Sequence, residues 1–184
     1  MKCKVRMIAF DLDGTLLTTD KRLTDETRRT LEQAAKKGIL LVPATGRPLT
    51  GMPAEVLGIP GVRYAVTANG ARVVSTEDGK ILREKLISVE KARKVLDIYG
   101  EYDTLREIYY DGRGYVEARQ IEELDHFVPD PNMAEYMRST RTGVPDLMEK
   151  FCQENRAMDK VQAFFACARE KEQAFWRIRE IEGV

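Results

Sequence analysis

Phe10-Asp11-Leu12-Asp13-Gly14-Thr15-Leu16 is the stretch that decides how this chain folds. Val5, Met7, Ile8, Ala9 and Phe10 come just before or at its start, apolar in near succession, and predict a buried strand over residues 5–10. Side chains two residues apart in extended backbone point the same way. Asp11 and Asp13 are therefore expected to converge at the C-terminal end of this strand, where open parallel sheets bind their ligands. Two carboxylates so close repel each other, and a divalent cation relieves the repulsion. Their hard oxygens suit Mg2+, which keeps waters and a substrate phosphate as its other ligands. Gly14 lets the backbone turn away without a side chain blocking a phosphate. An ordinary turn favours the same residues, so the segments that follow have to decide between turn and site.

They repeat the same grammar. A helix is predicted to start at a Thr24 cap, with Asp25 and Glu26 in its first turn, Lys36 and Lys37 in its last, and Gly38 as its stop. Residues 39–42 form a second apolar strand that ends in Pro43-Ala44-Thr45-Gly46-Arg47. Thr45 offers a hydroxyl donor to a phosphoryl oxygen, Gly46 allows close backbone approach, and Arg47 carries a planar fork that matches phosphate. A strand-ending turn with a surface arginine is the plainer alternative. After a short helix near residues 54–57 comes a third strand, 64–68, followed by Asn69-Gly70. That dipeptide reads first as a turn, although Asn69 would also lie on the same rim as a substrate contact. Strands alternating with helices in this order predict a parallel sheet with crossover helices.

Beyond residue 70 the pattern changes. Residues 71–75 and 80–86 read as a hairpin around Glu77-Asp78-Gly79, and Ser88 caps a helix to about residue 99. A second hairpin, 105–110 and 114–118, turns at Asp111-Gly112, with Tyr109, Tyr110 and Tyr115 expected to pack rather than to face a ligand. Residues 120–155 resist assignment. A strand at 161–166 and a helix at 168–181 follow, the helix expected to bury Ala174, Phe175, Ile178 and Ile181, with Trp176 covering its interface. Lys160 reads as a surface lysine and His126 as a polar surface residue. The expected division is 1–83 and 84–184.

The 184 residues carry 30 basic and 30 acidic side chains. That zero balance argues against a nucleic-acid partner. No apolar run approaches a membrane span, so no membrane is expected. Cys3, Cys152 and Cys167 show no zinc or redox spacing, which suits reduced thiols in the cytoplasm.

Asp11-Leu12-Asp13-Gly14-Thr15-Leu16-Leu17, Ala44-Thr45-Gly46-Arg47 and Ala68-Asn69-Gly70-Ala71, in that order, resemble the haloacid dehalogenase-like (HAD) superfamily, in its Cof-type phosphatase branch. The resemblance implies an α/β fold: a partial Rossmann-like parallel sheet, the HAD core, with an inserted α+β cap module. It implies a magnesium-dependent phosphatase acting on a small phosphorylated metabolite. Asp11 would be the nucleophile that forms an aspartyl-phosphate. Asp13 would act as acid and base, with Asp11 and the Asp13 carbonyl on the metal, and Thr45 would hold the phosphoryl group. Gly14, Gly46, Arg47 and Asn69 would line the substrate. Members of this family carry a later lysine and a Gly-Asp-x-x-Asn-Asp-like metal motif, and neither is in this sequence. The expectation is a C-terminally truncated chain with weak or no activity of its own. Its first strand would be an apolar edge that a homodimer or the missing C-terminal segment would cover. A noncatalytic phosphate-binding module and a phosphomutase are the alternatives.

Overall fold

Strand β1 (Met7–Phe10) runs parallel to β2 (Leu40–Pro43) in the computed structural model, which describes residues 4–183. Between them, residues Leu12–Leu16 form one wide helical turn, broken at Gly14 (φ 75°), a backbone conformation that glycine adopts without penalty. Helix α1 (Asp25–Lys36) follows, its first turn capped by Thr24, whose hydroxyl accepts from the Thr27 amide at 3.2 Å. After a single-turn α2 (Ala54–Leu57), β3 (Tyr64–Thr67) joins β2 through parallel bridges Leu41–Val62 and Ala44–Val66. Antiparallel β4 (Arg72–Ser75) and β5 (Ile81–Glu84) extend the sheet from β3. The α/β arrangement with parallel leading strands is the one the sequence predicts. Leu12, Leu17, Leu31, Leu41, Val56, Ile59, Ala65 and Val74 form the core of this unit.

The strand expected at 5–10 is not buried. It begins at Met7, and Val5 and Met7 remain 56% and 57% exposed. Among the described residues β1 pairs with β2 alone, and only its Ile8 and Phe10 side reaches the core. A strand covered on one face must alternate inside and outside, so its apolar run overstates its burial.

The chain divides into two units between Lys85 and Leu86. The second opens with α3 (Val89–Gly100), capped by Ser88. Next come β6 (Thr104–Tyr110), β7 (Arg113–Glu117), α4 (Ala118–Glu122), α5 (Leu124–Phe127), α6 (Pro131–Thr140), β8 (Arg141–Val144), α7 (Leu147–Glu154), β9 (Lys160–Phe165) and α8 (Ala168–Arg179). The strand order is β8-β7-β6-β9, with β7 and β8 parallel. Alternate residues of β6 feed two cores: Ile108 and Tyr110 pack with Leu96, Leu147 and Phe151, and Leu105 packs with Val116, Leu124 and Met137. Residues 120–155, unassignable from sequence, are short elements set by Asp130 and Asp146, which cap α6 and α7.

Three side-chain expectations change here. On α8 the buried stripe is Ala174 with Ile178 and Ile181 partly covered, while Phe175 and Trp176 are 54% and 56% exposed. At about 100° per residue, neither ring can share the Ala174 face; they pack edge-to-face with each other beneath Arg179. Lys160 is half-buried, its ammonium 5.1 Å from the Tyr109 ring centroid, and burial pulls its pKa down. Tyr109 and Tyr110 are buried in packing, as expected. His126 is on the surface as expected, beside Asp103 Oδ2 at 2.7 Å. Cys152 and Cys167 are exposed thiols, and Cys3 lies outside the described residues. No helix among the described residues is long and apolar enough to cross a membrane.

Candidate active site

Backbone hydrogen bonds draw three strand exits together. The Ala44 amide donates to the Phe10 carbonyl at 2.8 Å, tying the end of β2 to the end of β1. Thr45 N donates to Val66 O at 3.0 Å, Ala68 N to Arg47 O at 3.0 Å, and Asn69 N to Thr45 O at 3.2 Å, which adds the end of β3. Residues 10–13, 44–47 and 67–70 therefore share one rim.

Asp11, Thr45, Gly46, Asn69 and Gly70 line a shallow cavity of about 300 Å³ on that rim. The Asp11 carboxylate is exposed. Thr45 is buried, and its Oγ accepts from the Arg47 amide at 3.2 Å, which leaves the hydroxyl proton to donate. A β-carbon on Gly46 would come within 2.6 Å of Asn69 Oδ1, so this glycine lets the Asn69 amide close over the cavity. Asn69 has φ 57° and Ala68 φ 50°. The turn expected at Asn69-Gly70 and the rim position of Asn69 are thus the same feature. Left-handed backbone at a residue with a β-carbon is costly and clusters at functional sites, and nothing in the sequence announces it at Ala68. A larger groove of about 620 Å³ lies between α3 and α8. Two of its cations are paired, Lys94 with Glu90 and Arg177 with Glu101, and it holds none of the residues at the three strand exits.

Asp13 is held differently from Asp11. Arg47 grips it with two bonds, Nε to Oδ2 and Nη2 to Oδ1, both 2.8 Å. Lys21 Nζ adds a third at 2.8 Å. The Arg47 fork, expected to face phosphate, is turned onto Asp13, and its Nη1 donates to the Gly51 carbonyl at 2.9 Å. Lys21 was not singled out from sequence; eight residues past Asp13 in a polar loop, no periodicity links the two. The Arg47 hydrogen bonds, with help from Lys21 and against some burial, lower the Asp13 pKa to about 2.

A carboxyl whose folded pKa lies below its unfolded value stabilises the fold above the unfolded value and stops doing so as pH falls through the folded one. The window here is about pH 4 down to about pH 2. Lowering the carboxyl from its ordinary value to about 2 corresponds to at most ~2.5 kcal/mol. Because the Asp13 side chain is 35% exposed, solvent screening leaves roughly 1 kcal/mol. Asp13→Asn is accordingly expected to lose about that much stability at pH 7 and to flatten the decline between pH 4 and pH 2. Urea midpoints across that range check this, and parallel curves for the two proteins would contradict it.

Among the described residues, no three His, Cys, Asp or Glu side chains form a cage for a cation. Asp11 beside the rim cavity nevertheless fits a hard cation that retains waters and takes phosphate oxygens as further ligands.

Comparison with known proteins agrees with this geometry. A family model described as haloacid dehalogenase-like hydrolase matches residues 8–182. An HMP-PP phosphatase of Enterobacter sp. (strain 638) is 34% identical over 121 residues, covering 66% of this chain and 44% of that protein. The chain therefore spans about half the length of the curated relatives it matches. Among solved structures, a haloacid dehalogenase-like hydrolase from B. subtilis superposes with a TM-score of 0.77 at 22% identity, covering 97% of this chain and 68% of that one. The HAD phosphatase BT1666 from Bacteroides thetaiotaomicron gives 0.61 at 22% identity, covering 83% and 53%. At these identities the two structures speak for the fold.

Proposed function

The chain belongs to the haloacid dehalogenase-like hydrolases, and from that premise we propose that its first unit is the phosphatase core of an enzyme for a small phosphorylated metabolite, and its second unit the cap. The observation that carries this reading is the shared rim: an exposed Asp11 carboxylate, the Thr45 hydroxyl and the Asn69 side chain around one cavity. Asp11 Oδ attacks phosphorus, the bond to the leaving oxygen breaks, and an aspartyl-phosphate forms; water then cleaves it. Splitting hydrolysis this way replaces one hard step by two easier ones. Thr45 and Asn69 hold the phosphoryl oxygens in line, and positioning with electrostatic stabilisation is most of what phosphoryl transfer asks of a protein.

Asp13 handles the protons. Its clamp keeps it ionised in the empty site, the form that accepts a proton from the attacking water. Negative charge arriving with the phosphoryl group favours its protonated form, which donates to the leaving group. Such a carboxyl contributes ~10²–10⁴-fold. Mg2+, held by Asp11 and the Asp13 carbonyl, would supply positive charge against the phosphoryl oxygens. With no third acidic side chain in a cation-sized cluster among the described residues, the 184-residue polypeptide is proposed to bind the metal weakly and turn over slowly.

A phosphate-binding module without turnover is the second reading, favoured by that sparse metal shell. The test is phosphate release from 4-nitrophenyl phosphate and a panel of phosphorylated metabolites, with and without chelator. Slow, chelator-sensitive release supports the hydrolase, and movement of phosphate within a metabolite without release points to a mutase. Absence of release even at high Mg2+ rejects catalysis by this chain and leaves the binding module.

A further inference from the structure

Arg47, whose fork best matches phosphate, is committed to Asp13 and to the Gly51 carbonyl. The second cation on Asp13, Lys21, is held less tightly. Its Nζ reaches Oδ1 alone, an oxygen that already accepts from Arg47 Nη2. Asp13 keeps both arginine bonds if Lys21 leaves. The Lys21 side chain is 30% exposed, against 10% for Arg47, and a lysine stem is the more mobile of the two.

The backbone adds a second, independent observation. Lys21 N donates to Thr18 O at 2.9 Å and Thr18 N to Arg22 O at 3.0 Å, so residues 18–22 close a narrow hairpin loop. Lys21 occupies its left-handed position, φ 60°, where such loops ordinarily carry glycine. The loop is pinned at both ends: Leu17 N donates to Leu12 O and Leu23 N to Glu55 Oε1, each at 2.9 Å, and both leucines are buried. A long side chain sits at a backbone conformation that disfavours it, with its ammonium on Asp13. Strain of this kind persists where the side chain has a task.

We infer that Lys21 is a phosphate-binding cation of this site, its ammonium passing from Asp13 to a phosphoryl oxygen when the substrate docks. The charges of Asp11, Asp13, Lys21 and Arg47 cancel in the empty site. An arriving phosphate adds negative charge beside Asp11, and Lys21 is the cation free enough to answer it while Arg47 keeps Asp13 in place. The inference rests on the phosphatase reading of the rim.

The test uses the full 184-residue chain, inorganic phosphate as the probe, and amide shifts of Thr45 and Gly46 as the readout. Lys21→Gly relieves the backbone and removes the ammonium together. It is expected to leave Tm within a few degrees of wild type, relief of the backbone offsetting the lost Asp13 contact, while weakening phosphate about tenfold or more, the usual worth of a charge-assisted hydrogen bond. Its Mg2+ affinity should move the other way and tighten a few-fold, since a positive charge leaves the neighbourhood of the proposed metal ligands. Lys21→Arg should hold phosphate within about threefold. A residue that merely shaped the loop would not give opposite changes for anion and cation. Equal phosphate affinity in the wild-type and Lys21→Gly proteins overturns the inference and spares the rim. If phosphate leaves the Thr45 and Gly46 amides unmoved in the wild-type chain, the inference and the reading beneath it both fail.

Discussion

Asp11→Asn is expected to bring magnesium-dependent phosphate release from 4-nitrophenyl phosphate down to the rate of a protein-free blank. The carboxylate is both the attacking group and a metal ligand in the proposed chemistry, and an amide serves poorly as either. Losing a nucleophile removes the covalent route altogether, so the effect should exceed the ~10²–10⁴-fold typical of losing an acid–base group. Asp11 is exposed and lies outside the core, so thermal unfolding should be nearly unchanged, and a stable variant with full activity would exclude covalent catalysis at this residue. Asp13→Asn offers a useful contrast, because it should slow release while also disturbing the Arg47–Lys21 clamp.

Much of this rim was legible in the sequence because local chemistry dictates it. An apolar run ending in Asp11-x-Asp13-Gly14, and a second ending in Thr45-Gly46, place polar groups at strand exits, and backbone bonds such as Ala44 to Phe10 only complete the arrangement. What stayed hidden depends on contacts between distant residues. The Arg47 type suggested phosphate, but which anion its fork meets is settled by Asp13, 34 positions away. Lys21 reaches Asp13 through a loop conformation that its own residue type disfavours. In the second unit α5 is a single turn, and α6 and α7 bury only Ala134 with Met137 and Leu147 with Phe151, apolar pairs too few to stand out in a polar stretch. The exposure of Phe175 and Trp176 follows from which side of α8 the sheet occupies, which composition cannot tell.

The largest stability effect is expected from Glu107→Gln. Glu107 is fully buried in the second unit, where it accepts from Arg141 Nε at 2.6 Å, from the Tyr109 hydroxyl at 3.0 Å, and from Gln162. Arg141 is itself nearly inaccessible, packed over the rings of Tyr109 and Tyr136. Removing the negative charge leaves that guanidinium buried without its counter-ion, a change that typically costs ~3–5 kcal/mol. Set against the ~5–15 kcal/mol of a typical domain, it should shift the urea midpoint of the second unit sharply downward. The double replacement Glu107→Leu with Arg141→Leu should recover much of the loss, because a buried ion pair and an apolar pair of similar volume are often near parity. If Glu107→Gln unfolds within about 1 kcal/mol of the wild-type protein, Arg141 has found water or another anion, and the pair is not structural.

Turnover can fail for many reasons, so binding is the more direct probe of whether the rim was built for a phosphoryl group. Beryllium fluoride with Mg2+ imitates an aspartyl-bound phosphoryl group, and its effect on thermal unfolding can be read for the wild-type chain and for Asp11→Asn. The account predicts that the two reagents together, and neither alone, raise Tm of the wild-type chain, and that Asp11→Asn shows no rise. An unchanged wild-type Tm, or an equal rise in the variant, would contradict it.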